Sequence, residues 1–274
     1  MLSTRTTYIR RRNSGVFPRI VELYEYRELF FQLVWRDLKV RYKQTVLGVA
    51  WAVLQPALTA AIFTIIFSRV AGFEMKEVPY WLFALSGFTF WSFANSSVNF
   101  ASNSLVQHKE LVTKIYFPRI IVPVSSVGGY FVDLLLTMTV LFGGMIYYGV
   151  EPTWKLLLTP LFILFLLIIV TSLSLILSAL NVRFRDIKFV LPFLLQIWLF
   201  VSPVFYSLEW VPGKWQYVFA VNPMTGCLAG FRHILFGTAL DMTGFMISVS
   251  VTVLLFFASL SIFSSLENDF ADVL

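Results

Sequence analysis

The chain has little of what metal-dependent or thiol-dependent chemistry requires. Its 274 residues include one cysteine, Cys227, and two histidines, His108 and His233. Cys227 cannot form an intrachain disulfide, and neither histidine lies near it in the sequence, so no zinc-type ligand set is visible. We therefore expect no metal site and no cofactor bound by this chain.

A nucleotide-binding loop is also missing. A Walker A loop needs an upstream glycine and then Gly-Lys followed by Ser or Thr, because its backbone N–H groups cradle phosphates. The one Gly-Lys pair, Gly213 and Lys214, is followed by Trp215 and lacks the upstream glycine. The sequence thus predicts no ATP binding through such a loop.

Charge is scarce as well. Only 13% of the residues are charged and 58% are hydrophobic, which is far from the balance of a soluble domain. The net charge of +6 does not indicate nucleic acid, because the basic residues stand at the ends of apolar runs. Anionic lipid is their expected partner.

The apolar runs predict an all-α polytopic membrane protein with six transmembrane helices. Residues 1–46 form a cytoplasmic arm, and in residues 22–43 of that arm apolar and charged side chains form separate stripes, typical of an amphipathic helix on a membrane surface. Residues 47–264 form one transmembrane domain and residues 265–274 a cytoplasmic tail. The six spans are predicted at about 47–71, 79–106, 120–148, 154–180, 189–206 and 243–264.

Residues 207–242, between the last two spans, are apolar in part but interrupted by proline and glycine. Their apolar pieces are too short to cross a bilayer and too apolar for a free loop, which favours short re-entrant helices. Of the lysines and arginines, 16 lie in the arm and in the loops 107–119 and 181–188, and five on the other side, with Arg232 among the five. This asymmetry predicts that both termini are cytoplasmic.

Two polar features interrupt the predicted spans. In the second span, Ser, Thr and Asn recur every three or four residues and share one face, which either packs on other helices or faces a channel. Asp133 lies well inside the third span, where a carboxylate is costly unless it is paired. Hydrogen bonding to an asparagine of the second span is favoured over a proton relay. The polar intramembrane candidates are Asn95, Asn99 and Asp133.

Five segments, in order along nearly the whole chain, resemble the ABC-2 type permeases that export bacterial O-antigen, capsule and teichoic acid. They are WRDLKVRYKQ (35–44) followed by LG (47–48), LQP (54–56), NVRFRDI (181–187), SPV (202–204) and NPMT (222–225). The resemblance implies a homodimer in the bacterial inner membrane that crosses it several times. It also implies that each copy docks a separate P-loop ATPase, which binds ATP and Mg.

The resemblance also implies roles for particular residues. A coupling helix at about 104–114 would contact the ATPase, and its centre is Gln107, His108, Lys109, Glu110 and Leu111. The surface helix would border the glycan entry with Trp35, Arg36, Lys39, Arg41 and Tyr42. Aromatic residues make up 18% of the chain, and composition alone explains them by lipid contact. Because the first and fifth spans line the pore in such permeases, the resemblance implies channel-lining roles for Trp51, Phe63, Phe67, Phe193, Trp198, Phe200 and Phe205.

We therefore expect a transport subunit, not an enzyme, that moves an undecaprenyl-linked polysaccharide, O-antigen in particular. One alternative is an ABC-2 exporter of drugs or lipids. The other is an integral-membrane glycosyl or phosphoglycosyl transferase, which needs clustered catalytic residues in a membrane-facing loop. Asp186, beside Arg183 and Arg185, is the best candidate for that role.

Overall fold

A computed structural model of the chain describes residues 24–43, 48–70, 72, 78–267 and 270. All regular secondary structure in these ranges is helical. The predictions for the start of the N-terminal arm, for the junction at 44–47, for the loop at 73–77 and for most of the acidic tail lie outside the described residues.

The described residues form eleven α-helices, named here in chain order. The α-helices are α1 (Arg27–Tyr42), α2 (Gly48–Thr64), α3 (Tyr80–Gln107), α4 (Lys109–Lys114), α5 (Ile121–Gly128), α6 (Phe131–Tyr147), α7 (Thr159–Arg183), α8 (Ile187–Val201), α9 (Gly213–Ala220), α10 (Pro223–Phe236) and α11 (Met242–Glu267). A π-helical turn, Ile65–Val70, extends α2, and 3₁₀ turns at Trp154–Leu158 and Leu208–Trp210 precede α7 and α9.

Helix α3 is the centre of the molecule. It contacts α2, α5, α6, α7, α8 and α10, and most of its residues are buried. Gly87, Ala94 and Ala101 lie along it between large side chains, so neighbouring backbones can approach closely. The predicted second span is therefore an interior helix of this protein, which explains why it tolerates so many polar residues.

Four helical segments in the described part of the chain are long and apolar enough to cross a membrane. They are Gly48–Val70, Ile121–Tyr147, Trp154–Arg183 and Met242–Glu267. Helix α3 is long but more polar, and α8 is apolar but has only 15 residues. The fifth span was predicted to reach residue 206; this is wrong, because α8 ends at Val201, two residues before Pro203.

The predicted third span is not one uninterrupted helix. It breaks between α5 and α6 at Gly129 and Tyr130. A Cβ on Gly128 would lie 3.0 Å from the Val34 side chain, and one on Gly129 would lie 3.5 Å from the Cβ of Asp37. The glycine pair thus lets α1 pack directly against the start of this span.

Helix α1 packs on α5, and its most buried residues are Leu33 and Asp37. The predicted apolar stripe included Phe30, Val34 and Leu38, which are half-buried beside that line. The prediction that this helix only lies on lipid is corrected: one face is covered by protein, and a carboxylate belongs to that face. Trp35 and Val40 point away from it and are exposed.

Two short helices occupy residues 207–242, as predicted. Helix α10 begins at Pro223, where the Asn222 side chain accepts a hydrogen bond from the Met224 N–H at 3.1 Å. It ends at Gly237, whose φ of 74° suits a residue without a side chain. Helix α10 is almost completely buried, whereas α9 is largely exposed.

Candidate functional site

The half-buried face of α3 lines a polar groove. Besides that face, with Ser92, Asn95 and Ser96, its walls are formed by α2, by α6 and by the end of α1. The cavity measures about 530 Å³, within the roughly 300–1,000 Å³ of small-molecule sites. Among the sequence candidates, it brings together Arg41, Tyr42, Trp51, Asn95 and Asp133.

An ion pair lies at the end of this groove nearest α1. The Arg41 guanidinium donates from Nη1 to Asp133 Oδ2 at 2.9 Å, and the Tyr42 hydroxyl donates to Asp133 Oδ1. The expected partner of Asp133, an asparagine of the second span, is wrong. Because the third span breaks at Tyr130, Asp133 falls in the first turn of α6, where the end of α1 reaches it.

The Arg41 guanidinium has further supports. It lies 3.4 Å from the centroid of the Tyr130 ring, a cation–π contact, and Nη1 also reaches the Gly129 carbonyl oxygen at 3.3 Å. The side chains of Arg41 and Asp133 are 23% and 18% exposed, so solvent reaches both. Burial, followed by the neighbouring Asp133, raises the pKa of Tyr42 to about 12, and the phenol therefore keeps its proton and remains a donor.

The rest of the polar face on α3 divides between packing and the groove. Ser86 accepts from Arg232, and Asn103 accepts from the Asn181 side chain at 3.1 Å, so these two positions join helices. Asn95 lines the groove, whereas Asn99, one turn further along, is half-buried outside it. Both of the alternatives that the sequence left open are therefore represented on a single helix.

The aromatic candidates fall into two groups. Phe63, Phe67 and Phe205 pack on one another with ring centroids 4.7–5.9 Å apart, and Trp198 donates from Nε1 to Asn222 Oδ1 at 3.0 Å. These four are engaged within the chain. Trp51, Phe193 and Phe200 instead expose half or more of their surface, on the outer faces of α2 and α8.

The predicted coupling segment is two pieces instead of one helix. Gln107 ends α3, His108 interrupts it, and α4 begins with Lys109, Glu110 and Leu111. His108 Nδ1 lies 2.7 Å from the Ser104 carbonyl oxygen, and Nε2 lies 2.6 Å from Arg36 Nη2. Because a carbonyl only accepts and a guanidinium only donates, Nδ1 carries the proton and Nε2 accepts. This hydrogen bond joins the segment to α1.

Trp35 and Lys39, two other candidates on α1, lie on its exposed side. The Lys39 Nζ is 5.4 Å from the centroid of the Trp35 ring. Arg36 also forms an ion pair with Asp37 at 2.8 Å. The predicted interface residues thus do not share one face, since only Arg41 and Tyr42 reach the groove.

Arg232 is the residue that sequence reasoning missed. It was counted among the loop cations of the outer side, and this is wrong: its side chain is buried on α10. It donates to the carbonyl oxygens of Phe83, Pro203 and Val204 at 2.5–3.2 Å and to Ser86 Oγ at 3.2 Å. The available signal was its position inside the apolar run 227–236.

Comparison with known proteins gives a consistent result. The family model for ABC-2 type transporters matches residues 28–236. The chain is 32% identical to the O-antigen export system permease protein RfbA of Myxococcus xanthus, over 92% of this chain and 97% of that protein. It is 28% identical to an RfbA of Klebsiella pneumoniae over 87% and 92%, and 25% identical to the polysialic acid transport protein KpsM of Escherichia coli over 69% and 74%.

Proposed function

The chain belongs to the ABC-2 type transporter family, and from this premise we propose that it is the channel-forming membrane subunit of an exporter for a lipid-linked polysaccharide, O-antigen in particular. One observation carries the proposal: relatives named for O-antigen export match along nearly the full length of both chains. Subunits of this family are transport components that work with separate ATP-binding partners. In this proposal ATP and Mg bind to the partner, and the chain itself breaks no covalent bond.

The proposed topology has six spans in the bacterial inner membrane, with both termini in the cytoplasm. Helix α3 has 28 residues and is therefore about 42 Å long, which exceeds the roughly 30 Å hydrocarbon core. Its polar groups face protein and the groove, so lipid does not have to solvate them. Helix α8, about 22 Å long, needs residues 202–206 to complete its crossing.

The proposed channel forms between two copies of the chain. Helices α2 and α8 flank α3 and leave much of their apolar surface uncovered, including Leu54, Leu58 and Ile62 on α2 and Ile197 on α8. Trp51, Phe193 and Phe200 lie on the same uncovered faces. Ring faces suit a sliding glycan because they bind it without requiring one register.

Movement would enter through α4. Lys109 and Glu110 are exposed there and available to an ATPase. The hydrogen bond between His108 and Arg36 connects this segment to α1, and α1 ends at the Arg41–Asp133 pair beside the groove. A displacement of α4 by the ATPase would therefore be felt at the mouth of the groove.

A deletion strain tests the proposal. The strain is expected to lose surface polysaccharide and to accumulate lipid-linked glycan in the cytoplasm, and the full chain should restore export. Purified chain should also capture a P-loop ATPase from its own cells. An intact surface polysaccharide combined with new drug sensitivity would indicate a drug exporter instead, and sugar transfer by the isolated chain would indicate an enzyme.

A further inference from the structure

The polar groove contains more hydrogen-bonding capacity than the fold uses. Its lining includes the side chains of Gln55, Ser92, Asn95 and Ser96 and the ring of Trp51. Within the described part of the chain, none of these four polar side chains is hydrogen-bonded to another residue, whereas Ser86 and Asn103 on the same helix are. Amide and hydroxyl groups beside an indole ring are suited to a ligand that has both hydroxyl edges and an apolar face.

We propose that this groove, within each single copy of the chain, binds the diphosphate and first sugar of a lipid-linked glycan, and that Asp133 occupies the place of the phosphate while the groove is empty. Arg41 would release Asp133 and take the phosphate. The inference rests on the proposed function for the identity of the lipid-linked ligand. The phosphate chemistry rests on the groove itself.

The guanidinium of Arg41 is held in place without Asp133. The Tyr130 ring, 3.4 Å from the guanidinium carbon, supports one face, and the Gly129 carbonyl accepts from Nη1. Both supports lie at the break between α5 and α6, so they are part of the backbone geometry. The carboxylate can therefore leave while the cation stays, and a guanidinium presents its parallel N–H groups to phosphate as readily as to carboxylate.

The exchange is favoured by charge. A diphosphate diester carries about two negative charges and Asp133 carries one, so it is attracted more strongly to the same cation. Asp133 has somewhere to go, because its side chain is 18% exposed and keeps the Tyr42 hydroxyl as a donor. Once displaced, it remains a nearby like charge. That repulsion shortens the stay of the phosphate, which a transported ligand requires in order to leave.

Opposite responses from the two halves of the ion pair are the test. The full chain with its ATPase, in lipid nanodiscs, is titrated with radiolabelled undecaprenyl diphosphate, with undecaprenol and with inorganic pyrophosphate. Arg41→Gln should weaken diphosphate binding at least tenfold, and Arg41→Lys should recover only part of it, because the ammonium lacks the fork. Asp133→Asn should strengthen binding severalfold, because the competing carboxylate is gone.

Two matched controls change charge elsewhere. Arg69→Gln removes a cation at the other end of α2, and Glu151→Gln removes an exposed carboxylate, and both should bind diphosphate as the unmodified chain does. If Asp133→Asn does not fold, Asp133→Glu keeps the charge and should keep the affinity within about threefold.

Several outcomes would overturn the inference. Equal weakening by Arg41→Gln and Asp133→Asn would mean that the pair only supports the fold, and no change in either would place the phosphate elsewhere. Equal binding of undecaprenol would mean that the tail alone is recognised. Competition by pyrophosphate would support the phosphate site and would show that the lipid tail is not essential. Because the deletion strain reports on export separately, export can be upheld while this site fails, and the reverse.

Discussion

Two arginines of this protein lie flat on aromatic rings but have different partners. The guanidinium carbon of Arg41 is 3.4 Å from the Tyr130 ring centroid, and that of Arg232 is 3.6 Å from the Phe83 ring centroid. Arg41 pairs with a half-buried carboxylate. Arg232 is buried and donates to three main-chain carbonyls and one hydroxyl; within the described residues it has no ion-pair partner.

The difference in partners separates a fixed cation from an exchangeable one. Main-chain carbonyls cannot leave Arg232 unless α3, α10 and the segment 202–204 move apart, so this arginine joins those three elements. A carboxylate on a side chain can rotate away from Arg41 while the backbone remains in place. We infer that Arg232 maintains the position of the re-entrant helix and that Arg41 is available to a ligand.

The largest expected effect is on stability, at Arg232. Arg232→Gln should leave most of its four acceptors unpaired, at roughly 1–3 kcal/mol for each buried group, and should strongly lower the melting temperature in detergent. Arg41→Gln should cost far less, since its pair is partly solvated. Fluorescence-detected size-exclusion chromatography after heating measures both.

Arg232→Lys is the matched variant for this comparison. It keeps the charge, but its compact ammonium has three donors and cannot span the carbonyls of Phe83, Pro203 and Val204. We expect it to melt close to Arg232→Gln. If both Arg232 variants melted as Arg41→Gln does, the two arginines would not differ in the way that their partners indicate.

The next effect concerns the close approach that Arg232 requires. A Cβ at Gly87 would lie 2.0 Å from the Val204 carbonyl oxygen and 2.6 Å from Arg232 Nη2, so Gly87→Ala should destabilise by at least about 1–3 kcal/mol. Gly143→Ala is the control, because a Cβ there meets nothing within 4 Å and alanine favours a helix by roughly 0.5–1 kcal/mol. Equal melting of the two variants would contradict this packing.

Most of the helices could be predicted from the sequence, because long apolar runs must be helical in a bilayer. The two short helices before the last span were also predicted, from proline and glycine at their ends. The break in the third span was not, although Gly128 and Gly129 are adjacent there. A glycine pair is common in membrane helices, and only the approach of Val34 and Asp37 from α1 shows why these two glycines are needed.

The candidate site was predictable only in part. Arg41, Tyr42 and Asp133 were each singled out, but nothing local joins them, since more than 90 positions separate α1 from α6 partners in the ion pair. Arg232 was missed because a single cation between short apolar pieces is counted with loop charges. Its partners come from α3 and from the segment 202–204, which periodicity cannot bring together.

A smaller effect is expected from the ring under Arg41. Tyr130→Leu removes the cation–π contact, worth about 1 kcal/mol, and should weaken undecaprenyl diphosphate binding roughly fivefold. Tyr130→Phe keeps the ring face and should bind as the unmodified chain does. If the two variants bind equally, the ring does not hold the guanidinium for its ligand, and Arg41 resembles Arg232 less than the geometry indicates.

The smallest effect is expected at Tyr42, whose hydroxyl gives Asp133 a second donor. When phosphate takes Arg41, Asp133 keeps this one partner, whereas in Tyr42→Phe it keeps none. The exchange should therefore be about 0.5 kcal/mol less favourable, a roughly twofold rise in the Kd for diphosphate. Because the pKa of Tyr42 is raised to about 12, the hydroxyl donates at every pH below that value, and the twofold difference should stay constant until the pH approaches it. A difference that disappeared near neutral pH would mean that Asp133, not Tyr42, loses its charge there, and the carboxylate would then no longer compete with phosphate for Arg41.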